Sequence, residues 1–169
     1  MARAARGEPI LGVCGGCQML GERIEDPRGV ESSRRVVAGL GLLPLRTEFE
    51  PNKLTATVQA RSAGRSLLCA DAGQPVRGYE IHMGRTTGSG LARPLLHGEE
   101  GADGAVSADG RVLGCYLHGL LAADGALPIN IRVVSDGEEE VGGQSIVDFL
   151  EQDERGADAC VIFDGGMEH

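Results

Sequence analysis

Aromatic side chains make up only 3% of the 169 residues and tryptophan is absent, so a core has to be built from Leu, Val, Ile and Ala. No apolar run approaches the roughly 20 residues that a helix needs to cross a bilayer, which excludes a helical membrane span. Lysine is nearly missing as well. Lys53 stands alone, and its neighbours do not fit the Gly-x-x-x-x-Gly-Lys-Ser/Thr loop that cradles ATP phosphates. There is no basic stripe, so neither nucleic acid nor a membrane is an expected partner.

Disulfides are also an unpromising source of stability. The five cysteines (Cys14, Cys17, Cys69, Cys115, Cys160) leave one over in any complete pairing scheme, a pattern that favours a reducing compartment. Arg3 and Arg6 ahead of Ile10-Leu-Gly-Val-Cys14 do not make a secretion signal. Glu8 interrupts the front, the apolar run is too short, and Val13 is bulky where a small residue would precede cleavage. The expected location is the cytoplasm.

What is present suits a globular protein: 41% apolar and 24% charged residues, in a chain long enough to bury roughly 70% of its unfolded surface. The net charge of -9 is unevenly placed. Residues 136–169 hold 11 acids and one base, Arg155, whereas residues 1–135 are close to neutral. The character of the chain changes beyond Asp124, which divides it into a body, 1–125, and an acidic C-terminal segment, 126–169. The Glu138–Glu140 run reads as a solvated loop.

Pro9-Ile-Leu-Gly-Val13 predicts a short buried strand, and residues 15–24 a helix carrying Met19, Leu20 and Ile24, stopped by Asp26-Pro27 and Gly29. Further strands are expected at 41–45, 54–60, 76–83 and 111–117. Asp109-Gly110 predicts a two-residue hairpin turn, and the Asp-Gly pairs at 103–104 and 124–125 mark other turns. In the acidic segment, 127–133 and 159–163 read as strands and 145–151 as a short helix.

The chemistry concentrates at Gly12-Val-Cys-Gly-Gly-Cys-Gln18. A nucleophile on a sharp strand-to-helix turn needs small residues two before and two after it, and here Gly12 and Gly16 flank Cys14. The first turn of a helix favours negative charge, which draws the thiol toward the reactive thiolate. The Gly15 amide points where a tetrahedral oxyanion would form, and Gln18 shares a helix face with Cys14 and could contact a substrate. Two rival readings stand beside this one. The Gly-rich turn could be a packing device around an inert cysteine, or Cys14 and Cys17 could form a redox pair. A metal site is not expected, because two further ligands would be needed and no second Cys-x-x-Cys exists.

A cysteine nucleophile calls for a histidine base. His118 ends an apolar strand and is followed by Gly119, which makes it the better candidate. His82 shares a strand face with Glu80 in Gly78-Tyr-Glu-Ile-His-Met-Gly84 and could equally be a structural histidine; His97 and His169 carry no further signal.

The segment Gly12-Val-Cys-Gly-Gly-Cys-Gln-Met-Leu-Gly21 resembles the nucleophile motif of class I glutamine amidotransferases of the cobyric acid synthase type. Three later stretches are similar to that family in the same order: Ile24-Glu-Asp-Pro-Arg-Gly-Val-Glu31, Gly78-Tyr-Glu-Ile-His-Met-Gly-Arg-Thr86 and Asp109-Gly-Arg-Val-Leu-Gly-Cys-Tyr-Leu-His-Gly119. Lipid II-type glutaminase subunits come close but differ around Ile81-His82. The resemblance implies an α/β, flavodoxin-like domain with a central, mostly parallel sheet and flanking helices, here incomplete at its N-terminus.

It further implies a glutaminase with a Cys14–His118 dyad, Leu120 standing where many class I relatives carry a glutamate. Gly15 would supply an oxyanion donor, and Gln18, Glu80 and His82 would bind glutamine. The ammonia would amidate corrin-ring carboxylates on an ATP-dependent synthetase partner; ATP and Mg2+ belong to that partner, and no cofactor is expected in this chain. The alternative is a catalytically inactive remnant kept as an interaction module.

Overall fold

The computed structural model describes residues 2–64, 66, 71–99, 101–120 and 160–162. They form two sheets packed through one apolar layer. The smaller sheet has the order β11-β1-β9-β8, with β1 (Ile10–Val13) parallel to both β11 (Cys160–Ile162) and β9 (Val112–Cys115), and β8 (Ala105–Val106) antiparallel to β9. All four residues of β1 and of β9 are buried. A central parallel strand is covered on both faces, so it reads as a continuous apolar run rather than an alternation.

The larger sheet is mostly antiparallel. Its spine pairs β4 (Arg46–Ser62) with β5 (Pro75–Thr87), and a register shift falls between Glu48 and Lys53. Pro51, which has no amide to give to a ladder, lies in that gap. β2 (Arg23–Glu25) runs parallel to β4 and antiparallel to β3 (Val36–Ala38), while β6 (Leu96–Gly98) and β7 (Gly101–Asp103) extend the other end. β10 (Leu117–His118) closes the edge against β5. Leu11 and Val13 of the smaller sheet share a buried cluster with Ala60, Val76 and Leu117 of the larger.

Several expectations change on contact with this architecture. The segment 41–45 is not a strand: the amides of Leu40, Leu42 and Leu43 are taken by the carbonyls of Met19 and Leu20 at 2.7–2.9 Å. These are the carbonyls that a helix C-terminus leaves without intrahelical partners, so the segment caps a helix and buries Leu43 and Leu45 beneath it. That helix, α2 (Gly15–Leu20), follows α1 (Ala2–Ala5) and is shorter than expected. It ends at the extended Gly21, and Ile24 is buried in β2 instead. Asp26 therefore ends a strand, its carboxylate accepting the amides of Val30, Glu31 and Ser32 at 2.8–2.9 Å.

The Asp109-Gly110 hairpin is present but wider than two residues. Ser107 bonds Val112 through both its amide and its hydroxyl, which leaves a four-residue turn with Gly110 at φ +73°. The strand expected over 111–117 is broken at Tyr116, so that β9 lies in one sheet and β10 in the other. The acidic segment contributes β11 to the smaller sheet, so the boundary in charge is not a boundary of that sheet. The elements expected at 127–133 and 145–151, the acidic run at 138–140 and the turn at 124–125 lie outside the described residues.

Candidate active site

Cys14 sits where β1 gives way to α2, with φ +55° and ψ -116°; among the described residues it is the only non-glycine with positive φ. A side chain held there stores strain of about 1–3 kcal/mol. The turn also needs glycine two residues earlier, since a Cβ on Gly12 would lie 2.6 Å from the Gly16 carbonyl carbon and oxygen. The elbow geometry expected of a displayed nucleophile is thus present in both its parts.

Cys14 is 8% exposed and its Sγ donates to the Ile81 carbonyl at 3.3 Å. One helical turn later, Gln18 Nε2 donates to the Met83 carbonyl at 3.3 Å. The i, i+4 pair on α2 therefore reads two carbonyls at i, i+2 on β5, which docks the elbow onto the larger sheet. Gly15 opens α2, whose six residues offer their first amides but only a short stack of peptide dipoles.

Cys17 is of another kind. It is 1% exposed, packed where a Gly114 side chain would be, and burial first, then the charges of Asp103 and Cys14, push its thiol up to about 12. A thiol that resists ionisation is a poor partner in disulfide exchange, which weighs against the Cys14–Cys17 redox reading.

His118 arrives from the other sheet. Its ring stacks on Tyr79 at 5.1 Å and 5°, and its Nε2 is buried with no hydrogen-bond partner. β10 can lie against β5 because residue 78 is glycine: a Cβ there would sit 2.0 Å from the His118 carbonyl oxygen. His82 packs on Tyr116 with ring centroids 4.0 Å apart, and its Nε2 lies 3.9 Å from Glu80 Oε2. Burial lowers the His82 pKa, the nearby charge of His118 lowers it further, and the backbone at Met83 and Gly84 opposes in part.

Several participants had no separate signal in the sequence. Tyr116 makes a hydroxyl chain with Thr86 and Thr47, and burial pushes its phenol up to about 12. Asp103, expected only as a turn residue, accepts the amides of Tyr116 and Leu117. No group of three His, Cys, Asp or Glu side chains among the described residues could share a metal ion. No helix among them is long and apolar enough to cross a membrane.

Known proteins resemble this chain in sequence and in fold. A family profile described as the CobB/CobQ-like glutamine amidotransferase domain matches residues 1–126. The chain is 42% identical, over 166 residues and 98% of its length, to proteins named cobyric acid synthase from Brucella canis, Brucella suis biovar 1 and Brucella melitensis biotype 2. That alignment runs past residue 126 into the acidic segment. The chain spans about a third (33%) of those relatives' length. A solved structure titled "Structure of PurLQS from Thermotoga maritima" superposes with a TM-score of 0.52 at 18% identity, covering 88% of this chain and 65% of that one, a likeness of fold.

Proposed function

Since the chain belongs to the CobB/CobQ-like glutamine amidotransferase domain family, we propose that it is the glutaminase part of a cobyric acid synthase, working in the cytoplasm. The observation that carries the reading is the strained backbone of Cys14 at the β1–α2 turn. In this reading the Cys14 thiol passes its proton to His118 and the resulting thiolate attacks the side-chain amide carbon of glutamine. The oxyanion is held by the Gly15 amide, and the collapsing intermediate expels ammonia, which takes its proton from His118. The resulting thioester is attacked by water that His118 deprotonates. Glutamate leaves and the thiol is restored.

Gln18, Glu80 and His82 would hold the substrate. The ammonia would amidate corrin-ring carboxylates on an ATP-dependent synthetase part. ATP and Mg2+ would be bound there, and no step here depends on them.

One observation favours a second reading, an inactive remnant that serves as an interaction module. Cys14 belongs to a buried core cluster, and its thiol is engaged with a backbone carbonyl. A glutamine analogue with an electrophilic side chain separates the two. The glutaminase reading expects covalent labelling of Cys14, none in Cys14→Ala, and labelling slowed by about 10²–10⁴ in His118→Asn, the usual worth of a general base. A folded wild-type chain that stays unlabelled, and makes no glutamate when a synthetase partner is added, would establish the remnant instead.

A further inference from the structure

The chain changes sheets within one residue. β9 ends at Cys115 in the smaller sheet, and Leu117–His118 already pair with Glu80 and Tyr79 in the larger. At such a crossing the backbone amides leave one ladder and need other acceptors. Asp103 supplies them: its carboxylate takes the Tyr116 amide at 3.1 Å to each oxygen and the Leu117 amide at 3.3 Å.

Asp103 is itself fixed, because its own carbonyl accepts the Leu95 amide at 3.1 Å. Gly104, at φ +79°, lets the chain come in close beside β9; a Cβ there would lie 2.2 Å from the Gly114 carbonyl oxygen. The Asp-Gly pair at 103–104 therefore does more than turn the chain. It brings a carboxylate to the one bend from which His118 departs, and the Cys115 thiol adds a bond to Leu117 from the near side.

We propose that Asp103 is a positioning residue for His118: its carboxylate, by accepting the Tyr116 and Leu117 amides, fixes the bend that carries the imidazole from the nucleophile's sheet onto Tyr79. The inference rests on the reading of His118 as the general base. Misplacing a catalytic group by about 1 Å can cost about a hundredfold in rate, so a relaxed bend need not unfold the protein to disable the site.

The test uses the full chain. Asp103→Asn puts an amide N–H against an amide N–H at one of the two oxygens. The maximal rate at which a glutamine-like electrophile labels Cys14 is expected to fall about 10- to 100-fold, with the half-saturating concentration unchanged. The His118 ring resonances in NMR should move as the stack on Tyr79 loosens. Asp109→Asn, at the exposed turn at the other end of β9, should alter neither. Should Asp103→Asn fail to fold, Asp103→Ser, which keeps an acceptor hydroxyl, is read the same way. A labelling rate within twofold of wild type overturns the proposal, and so does slower labelling with an unmoved ring. His118→Asn that still reacts at the wild-type rate would sink the base assignment, whereas the ring resonances report on the clamp whatever the turnover.

Discussion

In the smaller sheet every residue of β1 and β9 is buried, and both strands are held by parallel or antiparallel neighbours. In the larger sheet only Val76 of β5 is buried and its other positions are exposed or half-buried, and its partner at the edge, β10, is two residues long. The proposed nucleophile, Cys14, is built on the first and His118 on the second. Strain at Cys14 needs surroundings that over-determine it, and a fully covered strand supplies them. An imidazole in the role proposed for His118 suits the edge, where less packing resists adjustment. The division predicts that the same small insult will be read as lost stability in one sheet and as lost activity in the other.

Gly12→Ala should have the larger effect on the fold. The added methyl meets the backbone of Gly16 at 2.6 Å and the Leu20 side chain at 2.7 Å, with β1 pinned on both sides. Overpacking against backbone in such a place costs about 3 kcal/mol, and chemical denaturation should show a loss of that size together with unreactive Cys14.

Gly78→Ala brings an even closer contact, 2.0 Å to the His118 carbonyl, but on a strand that can peel away. Its unfolding free energy should fall by only about 1–2 kcal/mol, while labelling of Cys14 slows by about a hundredfold because the imidazole is displaced. Equal stability losses in the two variants would remove the distinction between the sheets.

The asymmetry also explains what could be read without coordinates. The elbow is a local device: Gly12, Cys14 and Gly16 dictate it within five residues, so it is visible in the sequence and present in the structure. β1, the stretches 54–60 of β4 and 76–83 of β5, and the hairpin around Asp109 are local in the same sense. What escaped depends on partners far along the chain. Residues 41–45 look like a strand until the α2 carbonyls claim their amides. Tyr116 looks like the middle of a strand until Asp103, 13 positions earlier, takes its amide. Met83, expected only to face one side of a strand, offers its carbonyl to Gln18, 65 positions away. Each is a side-chain or loop bond closing a long sequence separation, and periodicity carries no record of such bonds.

The smallest effect concerns His82, which sits where the two sheets meet: its ring lies on Tyr116, at the crossing, and its neighbours are Glu80 and His118. Burial, then the charge of His118, hold its pKa below the ordinary value of 6.5. Below pH 6.5 the unfolded chain therefore binds a proton that the folded chain still refuses. The contribution of neutral His82 is complete above that pH and is lost as the pH falls toward the depressed folded value. Melting temperatures measured from pH 7.5 down to 5 should decline in the wild-type chain and decline less in His82→Gln, which keeps a polar side chain but cannot titrate. Parallel curves for the two proteins would assign the acid sensitivity to groups away from the crossing, and the junction between the sheets would then be indifferent to charge at its histidine.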